Sequence, residues 1–349
     1  MAQKKIDYII VGCGLAGIAF SEQLRKHRKS FLVFDTDLEK SSKVAAGIFN
    51  PVILKRFTPV WKSSEQLRIA MPYYDNLETL LNVKIKHDLR VLRKFTSVEE
   101  QNDWFTASDK PGLEHYLSTP LLKNELSHIK ADLGFGEVLH TGRLDTKVLV
   151  NSYKNHLVSE NQLIQEPFDY EEISVKEEGI AYKNFQAKHV VFAEGFGIKR
   201  NPFFSHLPLN GTKGEMLTIK APDLKLKEIL KSSVFLVPLG DDAYWVGATY
   251  AREDKTYQLS SEAREELIKK LDTLIDCDYQ VINHEAGIRP TTKDRRPLVG
   301  THAEHSNLHV LNGLGTRGVM ISHYAAQQLY EHIELGVLLD AEMDIKRFG

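Results

Sequence analysis

The residues whose types and spacing could do chemistry begin at Gly12-Cys13-Gly14-Leu15-Ala16-Gly17. An apolar run, Ile6-Asp7-Tyr8-Ile9-Ile10-Val11, precedes them, and a helix-like segment to Arg25 follows. A second apolar run, Phe31-Leu32-Val33-Phe34, ends on Asp35. Each part has a task if the ligand is a dinucleotide. Gly12 permits the tight turn out of the first strand, Gly14 lets backbone approach a pyrophosphate, and Gly17 lets the helix pack close to the sheet. The helix N-terminus offers free N–H groups and a positive dipole end to the phosphates. Asp35 stands where an acid accepts hydrogen bonds from a ribose 2′-hydroxyl. An acid rather than a base there favours NAD or FAD over NADP, and the motif leaves those two open.

A second unit of the same kind lies near the other end of the chain. A strand over 308–311 runs into Asn312-Gly313-Leu314-Gly315-Thr316-Arg317-Gly318, and a helix follows over 319–333. Between the units, a short strand over 187–193 closes on Ala193 before Glu194-Gly195. The small residues Ala45-Ala46-Gly47 suit a segment lying along a flat ligand. Other chemistries find less support. The two cysteines, Cys13 and Cys277, show neither a disulfide framework nor metal spacing. His302, Glu304 and His305 sit in a polar loop with no supporting motif, so no metal is expected. No Ser/His/Asp or Walker arrangement is evident.

The elements that must position these residues follow from pattern. At 349 residues the chain has room for about two domains. Hydrophobic content of 42% and charged content of 26% are ordinary for a globular protein, and a net charge of −2 leaves no electrostatic footprint for nucleic acid or an anionic membrane. No apolar run is long enough to span a bilayer. Lys4-Lys5 before an apolar stretch imitates a signal peptide, but Asp7 interrupts it and the same residues complete the nucleotide motif. A reducing, cytoplasmic compartment fits. Residues 37–43 read as a polar loop and 64–81 as an amphipathic helix with Leu67, Met71, Tyr74, Leu77 and Leu81 on one face. A strand is expected over 88–95, a short hairpin over 133–139, a helix over 146–157 started after Asp145, and alternation over 175–182 around Gly179. Gly240-Asp241-Asp242 between two apolar runs signals a hairpin, and 260–275 an amphipathic helix. The βαβ texture at both ends and hairpins between predict an α/β fold: a discontinuous Rossmann-type nucleotide domain (1–83, 142–208 and 282–349) with an inserted, mainly antiparallel β-sheet substrate domain (84–141 and 209–281). The ligand should lie where the two meet.

Several stretches in order narrow the reading. These are the opening motif with Asp35, Lys213-Gly214-Glu215, Val237-Pro238 to Val246-Gly247-Ala248-Thr249, Gly287-Ile288-Arg289-Pro290-Thr291-Thr292, Arg296-Pro297-Leu298-Val299-Gly300 and the 312–318 loop. Together they resemble the D-amino-acid oxidase-like FAD-dependent oxidoreductases, with looks of glycine oxidase and D-amino-acid dehydrogenases. There is also similarity to the flavin domain of the bifunctional tRNA wobble-uridine modification enzyme. The resemblance implies non-covalent FAD across the Rossmann domain, oxidation of a substrate C–N bond by hydride transfer from Cα to flavin N5, and hydrolysis of the imine product. Arg289 matches the arginine that pairs with the substrate carboxylate, which a fork of N–H donors holds bidentately. Arg317 matches a second arginine near substrate or flavin. Tyr250 stands where a glycine-oxidase-like pattern has methionine, and Phe235 where it has tyrosine, which argues against glycine as substrate. Tyr244 and Trp245 read as strand packing. The cofactor contacts implied are Gly12, Gly14, Leu15, Ala16, Gly17, Asp35, Thr36, Ser42, Ala46 and Gly47, then Phe168, Ala193 and Gly195, then Gly313, Gly315, Thr316, Arg317, Gly318 and Val319. Lys55, Arg56 and Lys213 are open as flavin neighbours.

The expected partners are a small amine or amino acid and an electron acceptor, oxygen or quinone. No nucleic acid is expected, and a homo-oligomer is compatible. Two other readings stay open: a tRNA side-chain modification enzyme of the same fold, and a non-catalytic or NAD-dependent nucleotide-binding protein.

Overall fold

The computed structural model describes residues 4–36, 38, 41–176 and 179–348. Among them, Lys4–Val11 lies between Phe31–Phe34 and Phe185–Phe192, parallel to both. Leu163–Ile164 extends the sheet beyond Phe31–Phe34, and Leu308–Asn312 runs parallel to the last part of Phe185–Phe192. Ile9, Ile10, Val33, Val190 and Val191 have no exposed surface. Consecutive apolar residues are needed because both faces of such a sheet are covered. Ile173–Lys176 and Gly179–Tyr182 pair antiparallel and hang from the first half of Phe185–Phe192. They account for the alternation expected over 175–182, of which Glu177 and Glu178 lie outside the described residues. Of the loop expected over 37–43, Asp37, Glu39 and Lys40 lie outside them too, and Ser41–Val44 is a short helix.

Four helices, Leu15–Lys26, Ser63–Leu81, Thr146–Ser159 and Gly318–Leu335, share one core with the sheet, built on Tyr8, Phe20, Leu24, Tyr74, Leu77, Tyr153 and Leu329. Burying each large apolar side chain contributes about 1.5–3 kcal/mol. Asp145 caps Thr146–Ser159 by accepting the Val148 N–H at 3.1 Å, a contact worth roughly 1 kcal/mol. The Tyr74 hydroxyl donates to the Val319 carbonyl at 2.7 Å, tying Ser63–Leu81 to the first turn of Gly318–Leu335.

The second sheet has the order Gln280–Arg289, Thr212–Lys220, Ala243–Gly247, Phe235–Gly240, Ile229–Lys231, Val91–Lys94, Phe135–Val138. Its neighbours are antiparallel except Ile229–Lys231 with Val91–Lys94. The hairpin around 240–242 forms as expected. Two expectations need correction. The single strand over 88–95 is two, Lys86–Asp88 and Val91–Lys94, in different sheets. The hairpin over 133–139 is one strand, Phe135–Val138, whose partner is Val91–Lys94. The boundary expected at 282 falls inside Gln280–Arg289, which pairs with Thr212–Lys220 up to Arg289. The Ser41–Val44 helix braces this sheet: the Ser41 hydroxyl donates to the Ile288 carbonyl, and the Trp245 indole N–H donates to the Val44 carbonyl at 3.2 Å.

Candidate active site

A cavity of about 620 Å³ opens between the two sheets, within the ~300–1,000 Å³ range of small-molecule and cofactor sites. The carboxyl ends of the parallel strands and the segments leaving them supply one wall: Gly12, Gly14, Leu15, Ala16, Asp35, Thr36, Ser42, Ala46, Gly47, Phe168, Ala193 and Gly195. The C-terminal loop supplies Gly315, Thr316, Arg317, Gly318 and Val319, the antiparallel sheet supplies Phe235 and Arg289, and Tyr250 follows the strand Ala243–Gly247. Gly17 and Gly313 are not on the wall. A Cβ at Gly17 would stand 1.9 Å from the Gly12 carbonyl oxygen, so Gly17 sets the helix–strand approach, as its place in the motif predicts. Gly313 packs against Thr292 and Leu298 and shapes the loop.

The parallel-sheet wall is electrostatically settled by the chain itself. Asp35 Oδ1 accepts the Cys13 N–H at 2.9 Å, and Oδ2 is ion-paired with the buried Lys154. The Glu194 carboxylate accepts from the Tyr170 hydroxyl and from Asn201 at 2.7 Å. Glu166 accepts from Lys183 at 2.8 Å. A carboxylate offers about four lone-pair sites, so Asp35 can accept a ribose hydroxyl while holding Lys154.

The opposite wall is different. The Arg289 guanidinium donates to the Thr249 carbonyl at 3.3 Å and lies 5.9 Å from the Tyr250 ring centroid. Among the described residues no carboxylate binds it. Burial pulls its pKa below the usual arginine value, with Tyr250 pulling the other way. Arg317 caps the N-terminus of Gly318–Leu335 through its backbone. Its side chain has no carboxylate partner among the described residues, and burial first, then Arg295 and Arg296, pull its pKa down. The mouth of the cavity is marked by Tyr250, 56% exposed.

Two sequence expectations are resolved by strand parity. Lys213 and Gly214 face opposite sides of the sheet. Lys213 is buried away from the cavity and paired with Asp254 at 2.6 Å and Glu215 at 3.2 Å. Trp245 is on the cavity wall, whereas Tyr244 is in the sheet core. Lys55 is exposed at the cavity edge, and Arg56 lines a separate pocket with Glu100, Asp103 and Lys110. Sequence reasoning missed Lys154, Met216 and Lys231, the last two on the wall. Lys154 lies within a helix whose only local signal is its cap. His302 and His305 stack at 4.9 Å, and no group of three potential metal ligands occurs among the described residues.

The residues fit FAD. Gly12 has φ +103°, and a Cβ there would stand 2.5 Å from the Ala193 carbonyl oxygen, so the turn must be glycine. A Cβ at Gly195 would meet nothing within 4 Å. The first turn of Leu15–Lys26 carries no acidic residue, leaving its positive end to a pyrophosphate.

The family described as FAD dependent oxidoreductase (DAO) matches residues 7–332. The chain belongs to this family. Glycine oxidase of Bacillus subtilis is 23% identical over 342 residues, covering 92% of this chain and 90% of the relative. The tRNA 5-methylaminomethyl-2-thiouridine biosynthesis bifunctional protein MnmC of Campylobacter jejuni subsp. doylei is 22% identical over 312 residues. That match covers 86% of this chain and 46% of the relative, so the chain spans less than half of it. The fold matches glycine oxidase from Geobacillus kaustophilus with a TM-score of 0.81 at 22% identity, over 99% of this chain and 98% of that one. It also matches iminodiacetate oxidase from Chelativorans sp. BNC1 with a TM-score of 0.75 at 16% identity, over 98% of each chain. This DAO-family member is thus an FAD-dependent oxidoreductase with a Rossmann-type FAD domain. Among its described residues no helix is long and apolar enough to cross a membrane.

Proposed function

We propose that this enzyme oxidises the C–N bond of an amino acid or secondary amine that carries a carboxylate, giving an imine that water hydrolyses. The observation that carries the reading is Arg289: a guanidinium on the cavity wall, held by one carbonyl and one ring, with no carboxylate of the chain on it among the described residues. A desolvated cation without an anion is costly, and a substrate carboxylate would complete it with paired N–H donors. Bound FAD supplies the two-electron acceptor for the hydride that leaves the carbon next to nitrogen. The chain's own residues do the rest. Arg289 fixes the substrate by its carboxylate and so orients that carbon. Met216, Phe235 and Trp245 line the same wall and keep water from it. The N-terminus of Gly318–Leu335, with Arg317, would present positive potential to the cofactor, which gains negative charge as it is reduced. Gly12, Gly14, Asp35 and the Leu15–Lys26 N-terminus hold the AMP half of the cofactor, on the domain division the sequence suggests.

The test is anaerobic mixing of the yellow holoenzyme with carboxylated amines such as N-methylglycine and D-alanine, and with their methyl esters. Bleaching by the free acids and not by the esters is expected. Equal bleaching by both, or bleaching by neither, removes the assignment. The similarity to MnmC favours a second reading, in which the carboxylated amine is carried on a tRNA base. A gel shift with unmodified tRNA at stated salt separates the two, and the net charge of −2 favours the small-molecule reading.

A further inference from the structure

The register of the antiparallel sheet places one more cation on the substrate wall. Lys231 pairs with Phe235, Phe235 with Gly247, and Gly247 with Met216. Residues directly opposite in a sheet point to the same face, so these four side-chain positions form one row, and all four line the cavity. Arg289 lies on this face too. Gly214 is two residues before Met216, and a Cβ there would stand 2.1 Å from Arg289 Nη2, so the guanidinium lies over Gly214. The Lys231 ammonium is 4.7 Å from the Phe235 ring centroid. No hydrogen-bond acceptor or carboxylate binds it among the described residues.

The surroundings make that cation unusual. Arg93 is paired with Glu100 and Lys270 with Glu266, so the nearby carboxylates are engaged. No residue that the antiparallel sheet contributes to the wall is acidic. Glu285 shares the face but is not among the lining residues. The acids that line the cavity among the described residues, Asp35, Glu166 and Glu194, belong to the parallel-sheet side and have partners there. Burial, with Arg93 and Lys270 adding repulsion, pushes the Lys231 pKa down to about 8, as expected for an ammonium held without an anion.

We propose that Lys231 is a second anion-binding residue opposite Arg289 and that the substrate is a dicarboxylic amine, one carboxylate held by each. This rests on the carboxylated-amine reading above and names its substrate class. From the guanidinium over Gly214 to the ammonium over Phe235 is two strand spacings across and two residues along, roughly 12 Å. One charge-assisted hydrogen bond of about 2.8 Å at each end leaves about 6 Å between carboxylate oxygens, the span of an extended glutarate or iminodiacetate. A monocarboxylate leaves Lys231 unpaired; a dicarboxylate neutralises both cations. The apolar Phe235, Met216 and Trp245 between them suit the methylenes.

The test uses the holoenzyme with two matched pairs. Glutarate and butyrate are titrated as inert ligands, read by the change in flavin absorbance. Iminodiacetate and N-ethylglycine, the same secondary amine with and without the second carboxylate, are compared for anaerobic flavin bleaching. Wild type should bind glutarate about 10–100-fold more tightly than butyrate, the worth of one charged hydrogen bond, and should prefer iminodiacetate similarly. Lys231→Met, which keeps the stem packed, should bring glutarate to the butyrate value and leave butyrate unchanged. Lys231→Arg should restore most of the preference. Equal binding of both ligands by wild type, or a Lys231→Met loss shared by both, overturns the proposal. If Lys231→Met does not fold, the wild-type pairs decide alone. If butyrate and N-ethylglycine act but gain nothing from a second carboxylate, only this inference falls. If neither class of ligand touches the flavin, the carboxylated-amine reading falls with it.

Discussion

The two walls of the cavity handle charge in opposite ways. On the parallel-sheet wall, Asp35, Glu166 and Glu194 each have a partner from the chain. On the antiparallel-sheet wall, Arg289 and Lys231 project charge with no carboxylate of the chain bound to it among the described residues. A permanently bound cofactor needs a preorganised cradle whose charges are settled in the apo chain. A substrate that comes and goes must supply what the chain withholds, because that missing partner makes binding selective. The contrast therefore separates the holding wall from the discriminating one.

The comparison breaks first on the settled side. Asp35→Asn removes a carboxylate from the buried Lys154, and weakening a buried ion pair is expensive. Because Asp35 is half-buried, a loss below that of a fully broken buried pair, about 2 kcal/mol, is expected in melting experiments, together with weakened FAD retention. Adding Lys154→Met should recover most of the stability; if it recovers none, the pair is not what the mutation breaks. Next in size is the unsettled side. Arg289→Met should lower kcat/KM for carboxylated amines by about 100-fold while FAD content and melting temperature hold. Arg289→Lys keeps the charge but loses the fork, and should act mainly by raising KM. A changed melting temperature with unchanged KM would make Arg289 a structural residue.

The third expectation is smaller and depends on pH. Lys231 is faced by Arg93 from Val91–Lys94, by Lys270 from Ser261–Asp272 and by the Phe235 ring. Its pKa is lowered to about 8. The cation is present below that pH and is lost above it, so dicarboxylate affinity should be flat below pH 7 and fall by about tenfold per unit above 8. Butyrate affinity should not follow. Titrating both ligands between pH 6.5 and 9.5, within roughly a unit or two of that pKa, checks the sign, and parallel curves would move the effect elsewhere.

Much of this contrast was legible in the sequence, and the rest was hidden for a physical reason. Gly12, Gly14 and Asp35 could be read because a phosphate turn demands residue types at fixed local spacing. Arg289 and the 312–318 loop could be read because they sit inside motifs. Lys231 could not: it is one lysine ending a three-residue strand, and only pairing through Phe235 and Gly247 carries it to the wall. Lys213 shows the converse. It lies inside a motif, yet a one-residue change of parity turns it to the far face. The 133–139 segment looked like its own hairpin because Gly134 and Gly136 signal turns, whereas its partner strand lies some forty residues earlier, at Val91–Lys94.

The smallest expected effect sharpens the boundary of the discriminating wall. Tyr250 is on the cavity, and its ring lies between Arg289 at 5.9 Å and Arg252 at 5.8 Å. It is also 56% exposed, and no hydrogen bond of its hydroxyl is seen among the described residues. An exposed ring attracts a cation by only about 0.5–1 kcal/mol. Tyr250→Phe keeps the ring and removes the hydroxyl, so kcat/KM should change by less than about threefold. Tyr250→Ala removes the ring as well and should raise KM by about two- to fivefold, through looser placement of the Arg289 fork. A tenfold fall in kcat for Tyr250→Phe, with KM unchanged, would instead put the hydroxyl in contact with the reacting nitrogen and extend the discriminating wall to the mouth.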